Sequence, residues 1–183
     1  MKKNILILTG SPRKDGNTSI LADAFARGAQ AAGHTVQRFD AGRQRLLGCV
    51  ACDACYIYED KACAYNDDFN LLAPMLEQAD VVVLMTPLYW YSFPAQLKAA
   101  IDKWNALVRG ERNIYGKECA LVVVGADDDI SGYAGIQKSY GIIVDYLQWT
   151  DRGRLMVTGV AEKGAVRGTD WERQAEAMGA SCC

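Results

Sequence analysis

The chain has 183 residues, half of them hydrophobic, enough to bury one core of ordinary domain size. Twenty Lys and Arg stand against 22 Asp and Glu with no basic stripe, which argues against nucleic acid or an anionic membrane as partner and for a small ligand. Seven cysteines, an odd number, point to a reducing cytoplasm rather than a disulfide framework: the first apolar run breaks at Gly10 too soon for a secretory signal, and no stretch is long enough to span a bilayer.

In chain order, residues 4–8 form an almost wholly apolar run, the pattern of a strand covered on both faces. The next stretch, Thr9-Gly10-Ser11-Pro12-Arg13-Lys14-Asp15-Gly16-Asn17-Thr18-Ser19, leads into helical spacing at Ile20, Leu21, Ala24 and Phe25. It has neither G-x-G-x-x-G nor the Walker lysine, so it suits a monophosphate better than a pyrophosphate or a triphosphate. Its glycines let the backbone curve closely, Ser11, Asn17, Thr18 and Ser19 can donate, Arg13 brings charge, and a helix N-terminus adds unpaired N–H groups. An ordinary Gly/Ser turn with a capped helix is the plainer alternative.

His34, the only histidine, follows Gly33 and reads as a turn residue, so no Ser-His-Asp, Cys-His or histidine-rich metal site can be built. Residues 35–39 form a half-polar strand suited to a sheet edge. Then come Cys49, Cys52, Cys55 and Cys63, spaced C-x2-C-x2-C-x7-C, in a loop insertion at about 48–66. Such tight spacing lets successive thiolates surround one compact centre, as in ferredoxin-type iron–sulfur loops, whereas zinc usually takes two separated pairs. Metal-free thiols, some buried and some oxidisable, are the other reading.

Asp67 precedes a helical stripe of Phe69, Leu72 and Leu76, and residues 80–85 give a third, apolar strand. Thr86-Pro87-Leu88-Tyr89-Trp90-Tyr91-Ser92-Phe93-Pro94 follows, with four aromatics bounded by prolines. A flavin ring could lie against this loop, with backbone groups of Leu88, Tyr89 and Trp90 at its polar edge; packing or a subunit contact is the alternative. Pro94 is expected at the first helical position before the stripe Leu97, Ala100, Ile101 and Trp104.

Residues 119–124 are the fourth strand, with Cys119 read as core, and Gly125-Ala126-Asp127-Asp128-Asp129 then brings three carboxylates to the same sheet end. Near a flavin they would disfavour its anionic reduced form; a solvated loop is the favoured alternative. Ile136, Tyr140, Ile143 and Leu147 mark another helix, and residues 155–158 the fifth strand. Thr169-x-x-Glu172 reads as the capping box of a last helix that stops near Gly179, and Cys182 and Cys183 read as a frayed tail.

This alternation predicts an α/β fold: a flavodoxin-like, doubly wound, five-stranded parallel sheet of order 2-1-3-4-5 with helices on both faces, as one domain over 1–183. Ligands in such sheets sit beyond the carboxyl ends of the strands, which singles out the loops beginning near Thr9, Thr86 and Gly125.

At these residues the sequence resembles the NAD(P)H-dependent FMN reductase branch of the flavodoxin-like superfamily, over nearly the whole chain. Gly10-Ser11-Pro12-Arg13 with Gly16-Asn17-Thr18 is similar to its phosphate loop, Thr86-Pro87-Leu88-Tyr89-Trp90 to its flavin loop, and residues 94–104 to the helix that follows. Within that branch, the cysteine run followed by Asp67-Asp68 resembles the iron–sulfur flavoproteins. The resemblance implies FMN as cofactor and NAD(P)H as co-substrate, with Ser11, Arg13, Asn17, Thr18 and Ser19 on the phosphate. Pro87, Leu88, Tyr89, Trp90, Gly125, Ala126 and Asp127 would frame the ring, and Cys49, Cys52, Cys55 and Cys63 would ligate a [4Fe–4S] cluster. It further implies a hydride taken from NAD(P)H, electrons passed to a small-molecule acceptor or a ferredoxin-like protein, and a homodimer or homotetramer. No side chain is assigned a catalytic role, since the flavin carries the chemistry. Two rivals are a non-catalytic electron carrier or redox sensor, and a binding module that uses the fold without a cofactor.

Overall fold

Successive side chains of a strand point to opposite faces, so a strand covered on both needs an apolar residue at nearly every position. Strands β1 (Asn4–Thr9), β3 (Val81–Pro87) and β4 (Glu118–Val124) meet that demand and are buried along almost their whole length. In the computed structural model, which describes residues 1–181, they form the middle of a five-stranded parallel sheet ordered β2-β1-β3-β4-β5. Cys182 and Cys183, read from sequence as a tail, lie outside the described residues. The half-polar β2 (Thr35–Asp40) takes one edge, pairing from Asn4↔Thr35 to Thr9↔Asp40.

Ile5, Ile7, Val81, Val83 and Val122 face helices α1 (Asn17–Ala31) and α6 (Asp170–Ser181). Leu6, Leu8, Val82, Leu84 and Leu121 face the other layer: α2 (Phe69–Gln78), α3 (Ala95–Asp102), the short α4 (Asn105–Arg109) and α5 (Ala134–Tyr146). The order and the two helical layers agree with the sequence reading.

Three local readings are corrected. Strand β5 (Thr150–Val157) starts at Thr150 rather than Leu155, because an edge strand has only one paired neighbour and tolerates the alternating polar Thr150, Arg152 and Arg154; its pairing with β4 is also irregular, with a register shift between Cys119 and Leu121. Pro94 is the extended cap residue of α3, and the helix tightens and breaks at Lys103 and Trp104 instead of running through them. The expected capping box is not formed as read: Thr169 Oγ1 donates to Val166 O at 2.6 Å, and Glu172 Oε2 accepts from Gly168 N at 2.7 Å.

Helix α6 is described as far as Ser181, close to the Gly179 at which the sequence places its end. The role of Gly179 is contact. A Cβ on Gly179 would lie 2.1 Å from Phe25 O, and one on Gly28 would lie 1.9 Å from Glu176 O, so the two glycines let the backbones of α1 and α6 touch. Gly28→Ala is therefore expected to lower stability by about 1–3 kcal/mol through overpacking, despite the roughly 1 kcal/mol that Ala gains in helix propensity. Urea unfolding followed by circular dichroism checks it, and an unchanged midpoint would contradict this packing.

Candidate functional site

Because β1 lies between β2 and β3, the chain leaves β1 for α1 on one face and leaves β3 for α3 on the other, and a crevice opens between the two departures. Loops after β1, β3, β4 and β5 line a cleft of ≈ 200 Å³ there. Of the residues singled out from sequence, Ser11, Arg13, Asn17, Thr18, Pro87, Leu88, Tyr89, Gly125 and Ala126 line it. Ser19, Trp90 and Asp127 do not.

The first loop is held down by close packing. Gly10 N donates to Met85 O at 2.9 Å, and a Cβ on Gly10 would lie 2.7 Å from Thr86 Oγ1. Behind it, the 3₁₀ turn Ala41–Arg43 packs so tightly that a Cβ on Gly42 would meet the Ser11 carbonyl carbon at 2.3 Å. The α1 N-terminus is capped by no side chain and carries no acidic residue in its first turn, so its leading N–H groups remain available to an anion. Ser11 and Thr18 are buried; Ser11 Oγ accepts from Arg13 N at 3.3 Å, while the Thr18 hydroxyl makes no hydrogen bond among the described residues. Ser19 is turned away, accepting from Arg38 Nη2 at 2.9 Å.

After β3 the chain folds into a two-residue hairpin. Tyr89 N donates to Ser92 O at 3.1 Å and Ser92 N to Tyr89 O at 3.0 Å, leaving Trp90 and Tyr91 at the tip with φ of 47° and 62°. Left-handed backbone at two bulky residues costs on the order of 1–3 kcal/mol each, and Trp90 is 94% exposed. Leu88 N donates to Val124 O at 2.7 Å, which ties the β3 loop to the β4 end. Among the carboxylates, Asp129 accepts from the Ser131 hydroxyl at 2.5 Å and from Ser131 N at 2.9 Å, and these bonds, the hydroxyl's first, hold its carboxyl below the usual range. It caps a 3₁₀ turn in the manner of a solvated loop.

The loop after β5 was not singled out from the sequence, yet Val160, Ala161 and Lys163 complete the cleft, with Gly16 and Val124. The rule that ligands sit beyond the strand ends points to it, since it follows the fifth parallel strand of the same sheet.

The four cysteines of the inserted loop all line a second cavity, of ≈ 30 Å³, with Lys103, Asp53 and Tyr65. Cys49 and Cys52 are exposed, Cys55 and Cys63 half-buried. Ala51, Asp53 and Tyr56 have φ of 52°, 55° and 53°, so the loop curls through three left-handed residues. Asp67 holds it from behind: its buried carboxylate accepts from Leu47 N at 2.8 Å and pairs with the equally buried Lys103 ammonium. Asn70 clamps the far end, accepting from Cys63 N at 2.8 Å and donating to Cys63 O and Tyr65 O.

Burial and the neighbouring Cys63, Cys49 and Cys52 push the Cys55 thiol up, so the thiols interact electrically and a cationic centre would relieve them. Among the described residues, no three His, Cys, Asp or Glu side chains converge at the spacing of a single ion. An all-thiol donor set, with its one lining carboxylate, Asp53, paired to Arg109 at 2.9 Å, fits in chemistry an iron–sulfur cluster, which spreads its ligands over several irons.

A flavodoxin-like α/β sheet with an anion-ready cleft at its reversal point defines a mononucleotide-binding class of protein. The family model described as NADPH-dependent FMN reductase matches residues 3–158, and the chain belongs to that family. An iron–sulfur flavoprotein of Archaeoglobus fulgidus is 30% identical over 142 residues, covering 74% of this chain and 63% of that protein, so the chain spans less than two thirds of that relative's length. An uncharacterized NAD(P)H oxidoreductase of Escherichia coli is 29% identical over 150 residues, 80% of this chain and 75% of its own. The NAD(P)H:quinone oxidoreductase from Methanothermobacter marburgensis superposes with a TM-score of 0.69 at 16% identity, over 98% of this chain and 96% of that one, a likeness of fold. Among the described residues, no helix is long and apolar enough to cross a membrane.

Tyr133, itself outside the cleft lining, is buried against Gly125. A Cβ on Gly125 would lie 2.4 Å from the Tyr133 hydroxyl, which donates to Val157 O at 3.1 Å. Burial, then Asp127 and Asp128, push this phenol up to about 12. The folded value exceeds the unfolded one of about 10, so this contribution to stability is full below pH 10 and is lost as pH rises through 12. Tyr133→Phe is expected to cost about 1 kcal/mol at pH 7 and to flatten the stability loss between roughly pH 10 and 12. Denaturant titrations across that range check both effects.

Proposed function

We propose that this chain is an FMN-dependent oxidoreductase that takes a hydride from NAD(P)H and passes electrons to a small-molecule acceptor or a ferredoxin-like protein. The observation that carries the reading is the cleft at the reversal point, where Arg13, the buried Ser11 and Thr18 and an uncapped helix N-terminus meet a rigid aromatic loop. FMN bound there would supply two-electron hydride chemistry that no side chain of the chain can perform. The protein's part is to bind and orient. Ser11, Arg13 and Thr18 would hold the phosphate, while Pro87, Leu88, Tyr89, Gly125 and Ala126 would frame the ring.

Cys49, Cys52, Cys55 and Cys63 would hold a [4Fe–4S] cluster, whose chemistry is single-electron transfer. Their shared cavity supports this, as do relatives named iron–sulfur flavoprotein. Lys103 and Asp67 would keep the thiols in place from behind. A homodimer or homotetramer belongs to the same proposal, supported by an apolar groove of ≈ 410 Å³ between α3–α4 and α5 that exposes Ile142 and Tyr146. A reducing cytoplasm belongs to the same proposal, on the odd count of seven cysteines in the sequence.

Anaerobic purification, followed by an absorbance spectrum with iron and acid-labile sulfide analysis, tests both cofactors. Flavin bands beneath broad brown absorption with stoichiometric iron and sulfide are expected; flavin bands alone would remove the cluster and leave the reductase. Rapid reduction by NADH or NADPH in stopped flow is expected of an enzyme, slow reduction of an electron carrier. Arg13→Ala is expected to weaken FMN binding roughly tenfold or more, and an unchanged affinity would count against this placement of the phosphate.

A further inference from the structure

Asn17 opens α1, where a side-chain amide facing the cleft would be free to donate to a ligand. It is already committed at both ends. Its Nδ2 donates to Glu162 O at 2.8 Å, and its Oδ1 accepts from Val166 N at 3.5 Å. Both partners belong to the loop after β5, and between them lies Lys163, which lines the cleft together with Arg13, Ser11 and Thr18. Asn17 therefore fixes the β5 loop against the helix N-terminus, and with it the cation that the loop carries.

Neither Arg13 nor Lys163 has a carboxylate partner among the described residues, and neither Asp15 nor Glu162 lines the cleft. Two unpaired guanidinium and ammonium groups, two hydroxyls and an uncapped helix N-terminus make a site for about two negative charges. A terminal phosphomonoester carries −1.5 to −2 at pH 7, which about two cations neutralise and one would not.

Resting on the FMN reading above, we infer that Lys163 is a specificity-determining residue for the ligand's phosphomonoester, and that Asn17 is its positioning residue. Arg13 and Lys163 approach the phosphate from two different loops, so the charge pair exists only when the β5 loop is docked. Asn17 docks it. The ring shares none of these contacts, so Lys163 separates a phosphorylated flavin from its neutral parent.

The test is fluorescence-quenching titration of the full chain, freed of flavin, with FMN and with riboflavin. Wild type is expected to prefer FMN. Lys163→Met is expected to lower that preference roughly tenfold with riboflavin affinity unchanged, and Lys163→Arg to retain it. Asn17→Ala is expected to lower the preference in the same direction and to cost nothing further in the Lys163→Met background. A Lys163→Met protein with the wild-type preference would overturn the inference while leaving FMN binding intact. Fully additive losses from the two substitutions would overturn the positioning role of Asn17. A wild-type chain that takes up neither flavin would overturn the FMN reading, and this inference with it.

Discussion

The burial of β1 on both faces is the constraint on which the rest depends. A strand paired to β2 and β3 and packed between two helical layers cannot shift by one residue without swapping Ile5 and Ile7 with Leu6 and Leu8 between layers that fit them and drawing a polar end residue, Asn4 or Thr9, into the covered stretch, so the point where it ends is fixed. Its end is where the chain must turn into α1, and the turn inherits that fixity through Gly10 against Thr86 and Gly42 against the Ser11 backbone. The helix N-terminus is thereby delivered, uncapped, to the crevice that the reversed strand order opens. A helix N-terminus open to an anion at this cleft follows from the topology before any side chain is considered.

Side chains then divide the labour by stiffness. The end of the cleft at the α1 N-terminus, proposed for the phosphate, sets the short, buried Ser11 and Thr18 of a packed loop beside the longer Arg13 and Lys163. The aromatic end is a two-residue hairpin whose tip carries left-handed Trp90 and Tyr91, where glycine or asparagine would have been cheaper. Ordered strain at the mouth of a cleft is maintained by the hydrogen bonds of Tyr89 and Ser92 beneath it and presents a large aromatic surface to solvent. Such a surface suits a flat co-substrate or a subunit contact.

The cysteine loop uses a different device. With no helix or strand of its own between the 3₁₀ turn Ala41–Arg43 and α2, it takes order from α2 and α3 through Asp67, Asn70 and Lys103. A buried carboxylate and ammonium cost heavily to desolvate and repay it only when both are fully bonded, so removing either partner would leave a buried charge worth on the order of 3–5 kcal/mol. The pair therefore specifies the loop's position more than it adds stability. The surface pair of Asp53 and Arg109 adds little by comparison.

By itself the sequence determined the alternation of elements, the strand order and three of the four loops around the cleft, because continuous apolar runs and helical stripes are local signals of burial. Cys49, Cys52, Cys55 and Cys63 declared themselves by spacing, and the structure brings all four to one cavity. What remained hidden depended on partners distant in the chain. The polar start of β5 registers as a strand only once β4 is beside it, and Gly179 is a contact only once α1 crosses it. Ser19 and Asn17 look like donors in a one-dimensional reading, but Arg38 takes the first and the β5 loop takes the second. Lys163, far from Arg13 in sequence, joins it in the cleft because strand order places β5's loop across from α1, a juxtaposition that only tertiary structure decides.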